Sequence, residues 1–220
     1  MENIIELSDS YKEKLIKCKI WQEDCPVHLD RLRIVQIEYI DFAGVTHDDG
    51  QMIVLDVVAD NVARIFQELY KLRFPLHSIL PMENFAGDDE KSMAANNSSA
   101  FNHRKIAGTD TVSIHSYGLA IDINPVQNPF IIMENEHDNA LTIFPAGGKK
   151  YLNRTNKRPG MIENMPAVLD IFARNGFTIW GGNWNSMLDY HHFQIERSIA
   201  EKLSQMNFTD GKEFFNSLLG

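Results

Sequence analysis

Cysteine is almost missing from this chain: Cys18 and Cys25, seven positions apart, are the only two in 220 residues. A disulfide framework is therefore not expected and a cysteine-rich zinc knuckle is excluded; if the two pair, they tie down an N-terminal arm. No stretch approaches the roughly 20 apolar residues needed to cross a bilayer. The opening Met1-Glu2-Asn3-Ile4-Ile5-Glu6 lacks the basic flank and apolar run of a secretory signal. The chain is accordingly expected to be made as a soluble cytoplasmic protein with no membrane insertion. Basic residues are also scarce, 21 Lys and Arg against 30 Asp and Glu for a net charge of -9, and no Lys/Arg block is long enough to follow a phosphate backbone. Nucleic acid and anionic membrane surfaces are thus poor partners. No internal repeat or low-complexity segment is visible.

What is present is an ordinary globular composition, 44% hydrophobic and 23% charged, enough for one core. Residues 1–32 are polar and mixed, with a helix expected over Ser8 to Trp21, and read as an extension packed on a domain formed by 33–220. Arg33 to Phe42 and Gln51 to Val58 alternate apolar and polar, as half-buried strands do, around a turn at Gly44 to Gly50. Val62, Ile65, Phe66, Leu69 and Leu72 recur at helical spacing behind Asp60, an expected N-cap. A short strand is expected at Leu76 to Leu80, a long polar loop at Gly87 to Ser99, and two strand-like pieces within Thr111 to Asn124. An irregular excursion follows from Pro125 to Gly160. A helix from Pro166 to Asn175 is ended by Gly176, strands are expected at Phe177 to Trp180 and His191 to Ile195, and a last helix at Ser198 to Met206. Helices and antiparallel strands without a regular βαβ alternation make the expected class α+β.

Metal-competent residues stand inside runs that otherwise read as buried. His115 and Asp122 flank a bend at Gly118, so the chain can fold back and bring an imidazole and a carboxylate to one point. Both suit zinc, whose catalytic sites take three protein ligands and leave one position open. His192 supplies a third ligand, and Asp189, three residues before it, can stand beside the metal as general base. Arg104, upstream, is the nearest donor for a developing oxyanion. Bland readings exist for each: a buried hydrogen-bonded His–Asp pair, an Asp capping a turn, an Arg in a surface ion pair. His47, Asp48 and Asp49 follow no ligand spacing and read as a solvated turn. Ser113 has no nucleophile elbow around it, which argues against serine hydrolysis.

Ser113 to Asp122 reads Ser-x-His-x-x-Gly-x-Ala-x-Asp, and Asp189 to His192 reads acid, two residues, His. This pair of motifs resembles the zinc peptidases that cut the stem peptide of peptidoglycan, the D-alanyl-D-alanine carboxypeptidases and L-alanyl-D-glutamate endopeptidases. Asn96 to Arg104 looks like that family's Asn-Asn-Thr-Ser-Ala-Phe-Asn-Cys-Arg run, and with Trp180-Gly181-Gly182 the likeness spans about residues 34 to 195. The resemblance implies Zn2+ held by His115, Asp122 and His192, Asp189 as base, Arg104 polarising the carbonyl, and a peptidoglycan stem peptide as substrate. Ser113, Tyr117 and Trp180, with Trp184, are candidate groove residues, although aromatic side chains beside a core also serve packing. The implied fold is the small antiparallel sheet flanked by helices of the hedgehog/D-alanyl-D-alanine peptidase group.

Two positions depart from the family pattern: His191 stands where Pro or Met is usual, and His103 replaces the Cys of Asn-Cys-Arg. His191, next to His192 in an expected strand, should point to the opposite face and lie in a second shell or at the surface. The Asp base and the Trp-Gly-Gly approach are more similar to the L-alanyl-D-glutamate endopeptidases than to the carboxypeptidases, whose second motif reads Glu-x-Trp-His. Competing expectations are a carboxypeptidase, a peptidase for a substrate other than the wall, and a non-catalytic zinc module as in hedgehog proteins. A wall enzyme without a signal must reach the wall or periplasm by lysis, by dedicated export, or from a precursor that has been trimmed.

Overall fold

The computed structural model describes residues 3–133, 141–185 and 187–219, with residue 164 described by its backbone alone. Strand β1 (Ile4–Glu6) leads into helix α1 (Asp9–Lys17), which begins where the Ser8 hydroxyl accepts a hydrogen bond from the Tyr11 N–H. Leu7, Leu15 and Ile20 enter the common core, so the first 32 residues contribute an edge strand and core side chains as well as packing on the surface.

The two alternating runs form β2 (Leu32–Ile40) and β3 (Thr46–Leu55), the first sheet having the antiparallel order β1-β2-β3. The turn is tighter than the sequence suggests. The Asp41 carboxylate accepts from the N–H groups of Ala43 and Val45, so pairing resumes already at Thr46. Helix α2 (Ala59–Lys71) buries Val62, Ile65, Phe66 and Leu69 against this sheet. Asp60 is not its cap: a 3-10 turn over Asp56–Val58 runs straight into the helix, placing Asp60 in the first helical turn. The buried Asp56 carboxylate is gripped by Arg31 through both Nε (2.6 Å) and Nη2 (2.9 Å).

The polar stretch expected to be a loop contains structure. After β4 (Ser78–Ile79), Asp88 caps helix α3 (Asp89–Ala94), and β5 (Asn97–Ser98) pairs in parallel with β4. Its polarity is used internally: the Asn97 amide accepts from Leu80 N–H and donates to the Leu80 carbonyl and Ser92 Oγ. The next stretch also departs from expectation. Only its second half is a strand, β6 (Ala120–Asp122), while Ile114–Tyr117 forms a 3-10 turn closed by Gly118 at φ +66. The Pro125 to Gly160 excursion holds an antiparallel pair, β7 (Phe130–Met133) and β8 (Leu141–Phe144); residues 134–140 within it lie outside the described residues.

Helix α4 (Pro166–Arg174) has Pro at its first turn, and Gly176 beyond it takes φ +93. Strand β9 (Ile179–Trp180), then β10 (Met187–Asp189) inside the expected connection, and β11 (His192–Gln194) follow. Helices α5 (Arg197–Gln205) and α6 (Phe208–Ser217), the latter not anticipated, close the chain. Two further three-stranded antiparallel sheets result, β10-β7-β8 and β6-β11-β9. Mixed helices and small sheets make the class α+β. No helix among the described residues is long and apolar enough to cross a membrane.

Gly118 is the point where the motif presses on the first sheet. A Cβ there would lie 2.6 Å from the Leu55 backbone nitrogen, which itself donates to the Gly118 carbonyl at 3.1 Å. Gly118→Ala meets both that contact and a left-handed backbone, so it should lower unfolding free energy by about 1–3 kcal/mol; a denaturation midpoint equal to that of the unaltered protein would contradict this.

Candidate metal centre

Two strands and one 3-10 turn bring the motif residues together. Ser113 accepts from the His115 N–H and starts the turn that aims His115 inward; Gly118 reverses the chain, and β6 then delivers Asp122. Strand β11 pairs antiparallel with β6 so that His192 lies directly opposite Asp122. On the other face of β11, Phe193 stacks on Phe172 of α4 with centroids 3.8 Å apart, fixing the strand against the core.

His115, Asp122 and His192 are buried, and one ligand atom from each lies within 4.8 Å of the others. His115 Nε2 is 3.2 Å from Asp122 Oδ2 and 3.2 Å from His192 Nδ1, and His192 Nδ1 is 2.9 Å from Asp122 Oδ1. A tetrahedral zinc site with bonds near 2.0 Å has ligand-to-ligand edges of about 3.3 Å, so the donor set fits that ion with only a slight spreading. The outer hydrogen bonds select the nitrogens. His115 Nδ1 donates to the Ala100 carbonyl at 2.5 Å, and His192 Nε2 is bonded to Gln194 Oε1 at 2.9 Å, leaving His115 Nε2 and His192 Nδ1 facing the centre.

Burial pushes the Asp122 carboxyl up, but the charges of His115 and His191 and the hydrogen bonds from His115 and His192 outweigh it and hold the group well below the usual carboxylate range. For His192, burial works downward; the hydrogen bond and charge of Asp122, then the charge of Asp189, overcome it and raise the imidazole to about 9. Asp189 is raised, chiefly by burial and also by Asp122, with the neighbouring histidines opposing.

The remaining candidates separate. Asp189 ends β10 and carries a buried Oδ1 without a hydrogen-bond partner among the described residues, while 14% of the side chain stays exposed. Arg104 forms an ion pair with Asp89 of α3 at 2.8 Å, and its buried Nε has no hydrogen-bond partner among the described residues. Ser113 serves as the cap described above. Tyr117 is core, and Trp180, also core, donates Nε1–H to the Tyr190 carbonyl and packs against Phe193. Trp184 is half-buried with its ring 5.5 Å from that of His192, so it is the aromatic residue beside the centre. His191 lies behind the centre, though not for the reason expected. It is not in β11 but in the turn before it, so strand alternation does not apply, and its buried imidazole lies 3.0 Å from Asp189 and 3.9 Å from Asp122.

Sequence reasoning did not pick out Gln194 or the Ala100 carbonyl. Gln194 was within reach, because two residues along a strand put it on the face of His192. The carbonyl carries no side-chain signal at all. Trp180-Gly181-Gly182 also gains a physical cause: a Cβ on Gly181 would come 2.5 Å from the Asp189 carbonyl oxygen, and one on Gly182 would strike the Trp180 ring.

Residues 107–195 match the model of a family described as D-alanyl-D-alanine carboxypeptidase. The match supports the likeness of the motifs to the zinc D-alanyl-D-alanine peptidases and takes in His115, Asp122, Asp189 and His192; Arg104 lies just outside it. No curated protein and no solved structure matches the chain.

Two expectations follow for metal binding. Gln194→Ala frees the His192 ring and should weaken zinc affinity about 10–100-fold, read by competition with a chromophoric chelator. His192 is protonated up to about pH 9 without metal, so zinc must displace that proton: affinity should climb about tenfold per pH unit from neutrality towards pH 9 and then level. A flat profile over that range, or no proton release in calorimetry, would contradict the assignment.

Proposed function

We propose, from the peptidase-family match over residues 107–195 and the centre it encloses, that this chain is a zinc-dependent peptidase cutting the peptidoglycan stem peptide at the L-alanyl-D-glutamate bond. The observation that carries the metallopeptidase part is the buried His115–Asp122–His192 set, whose spacing suits zinc. The fold proposed with it is that of the hedgehog/D-alanyl-D-alanine peptidase group.

Zinc, when held by these three residues, supplies a Lewis acid for the scissile carbonyl and for the attacking water. Asp189 takes the proton of that water and returns it to the leaving amine. Its raised pKa suits the task, since a carboxylate that holds a proton more readily than usual is the better base near neutral pH. Arg104 offers positive charge to the developing oxyanion, with Asp89 restraining the guanidinium. Trp184 offers an apolar wall over His192. The Asp base and the Trp180-Gly181-Gly182 approach resemble the endopeptidases; the description of the matched family favours a D-alanyl-D-alanine carboxypeptidase, which is the second reading. A pure zinc-binding module has no use for Asp189.

Digestion of purified peptidoglycan with and without chelator, followed by mass spectrometry, separates these. New N-terminal D-glutamate marks the endopeptidase and loss of a terminal D-alanine the carboxypeptidase; no chelator-sensitive cleavage would sink both. Asp189→Ala should keep zinc and lose about 10²–10⁴-fold in kcat, whereas His192→Ala should lose both metal and turnover. Normal turnover by the Asp189 variant would remove it as the base.

A further inference from the structure

His191 is a buried titratable side chain that the mechanism above does not use. Its imidazole is held at both edges. Nδ1 lies 2.8 Å from the Asn128 backbone carbonyl, which can only accept, so this nitrogen is the donor. Nε2 lies 3.0 Å from Asp189 Oδ1, a close polar contact short of a hydrogen bond; that oxygen is sealed from solvent and accepts no hydrogen bond among the described residues.

The anchor at Asn128 is rigid for a reason visible in its own contacts. The Asn128 side chain is fully buried; its Nδ2 donates to the carbonyls of Ile123, Asn124 and Gly160, and its Oδ1 accepts from Ile162 N–H and Arg154. Residues 128–130 then run alongside 189–191: Phe130 pairs with Asp189, the Tyr190 N–H donates to the Pro129 carbonyl, and His191 reaches Asn128. On the opposite side, the Ile123 N–H donates to the His191 carbonyl at 3.0 Å, tying the same turn to the end of β6. The backbone of Asp189 is thereby fixed by strand pairing and by the close approach of Gly181, but neither sets the rotation of the carboxylate.

We infer that His191 is a positioning residue for Asp189: braced by the Asn128 carbonyl, its ring edge holds Oδ1 inward, so that the other carboxylate oxygen is the one presented to the reacting water. This rests on the assignment of Asp189 as the base. An apolar side chain in place of His191 would fill the space but remove the polar neighbour of Oδ1 and leave it free to turn towards the positive charge of the centre. His192 and His115 attract the Asp189 carboxylate while Asp122 repels it, so a carboxylate released from His191 has the two metal-facing histidines as a nearby destination. The geometric requirement is strict, because a base displaced by about 1 Å costs on the order of 10²-fold in rate.

The test uses the zinc-loaded protein, with both turnover and ring-nitrogen NMR as readouts. His191→Met should retain stoichiometric zinc and KM within about twofold while kcat falls at least about tenfold. His191→Gln, whose amide reaches about as far as Nε2, should recover most of that loss. In the Asp189→Ala background, His191→Met should cost nothing further, since its effect passes through the carboxylate. Asp189→Ala should also shift the 15N resonance of His191 Nε2 and leave that of Nδ1 in place. The inference is overturned by undiminished kcat in His191→Met, by an equal loss in both backgrounds, or by an Nε2 resonance indifferent to Asp189. The NMR result stands whether or not the protein cleaves peptidoglycan: absent cleavage with a responsive Nε2 rejects the proposed function and keeps the contact, and an unresponsive Nε2 rejects the contact in an active enzyme.

Discussion

A carboxylate buried as deeply as that of Asp122 costs several kcal/mol unless its charge is met inside the protein. Here it is met by His115 on one oxygen and His192 on the other. Each histidine reaches it only through a specific arrangement of the chain: the 3-10 turn closed by Gly118 for the first, the antiparallel register of β6 and β11 for the second. The register leaves little freedom, because a slip of one residue would send His192 to the far face and bring Phe193 onto the carboxylate. The apolar face of β11, stacked on Phe172, and its polar face, gathered on Asp122, therefore specify the same register.

The same constraint accounts for the polar residues around the centre. A charged group in the interior needs rigid neighbours, and rigidity here comes from backbone carbonyls as much as from side chains. Ala100 orients His115, Asn128 orients His191, and Gln194 orients His192. Asn97, Asn124 and Asn128 join segments distant in sequence through amide bonds to main-chain groups, so the buried asparagines serve as connectors in place of regular sheet. The polarity of 87–99 has the same origin, which is why it resembles a loop when only composition is considered. Asn96, Asn97 and Ser98 face inward to backbone partners.

Legibility followed the range of the interactions. The alternating runs at β2 and β3 and the helical spacing of α2 are local, and their positions were readable to within a few residues. Helix α3, the hairpin of β7 and β8, and the turn at Ile114–Tyr117 depend on contacts with distant segments, and local pattern misjudged each of them. His191 shows the limit most clearly. Placed in a strand by its neighbours' alternation, it belongs instead to the turn leading into β11, and one residue of difference carries its ring from the opposite face to the side of Asp189.

By itself the sequence determined the identity of the metal-competent residues and their grouping, since the spacing around Gly118 and the acid-to-histidine interval are properties of the chain. It also determined the α+β class, through the two periodicities that local sterics impose. Only the tertiary structure decided which nitrogen of each metal-facing histidine points to the centre, that Gln194 and the Ala100 carbonyl hold those rings, that Trp180 and Tyr117 are core while Trp184 stands beside His192, and that His191 bears on Asp189. The physical reason is that each of these depends on a hydrogen bond or packing contact between segments tens of residues apart. Such contacts are set by how strands register and where buried polar groups find partners, and no local propensity encodes them.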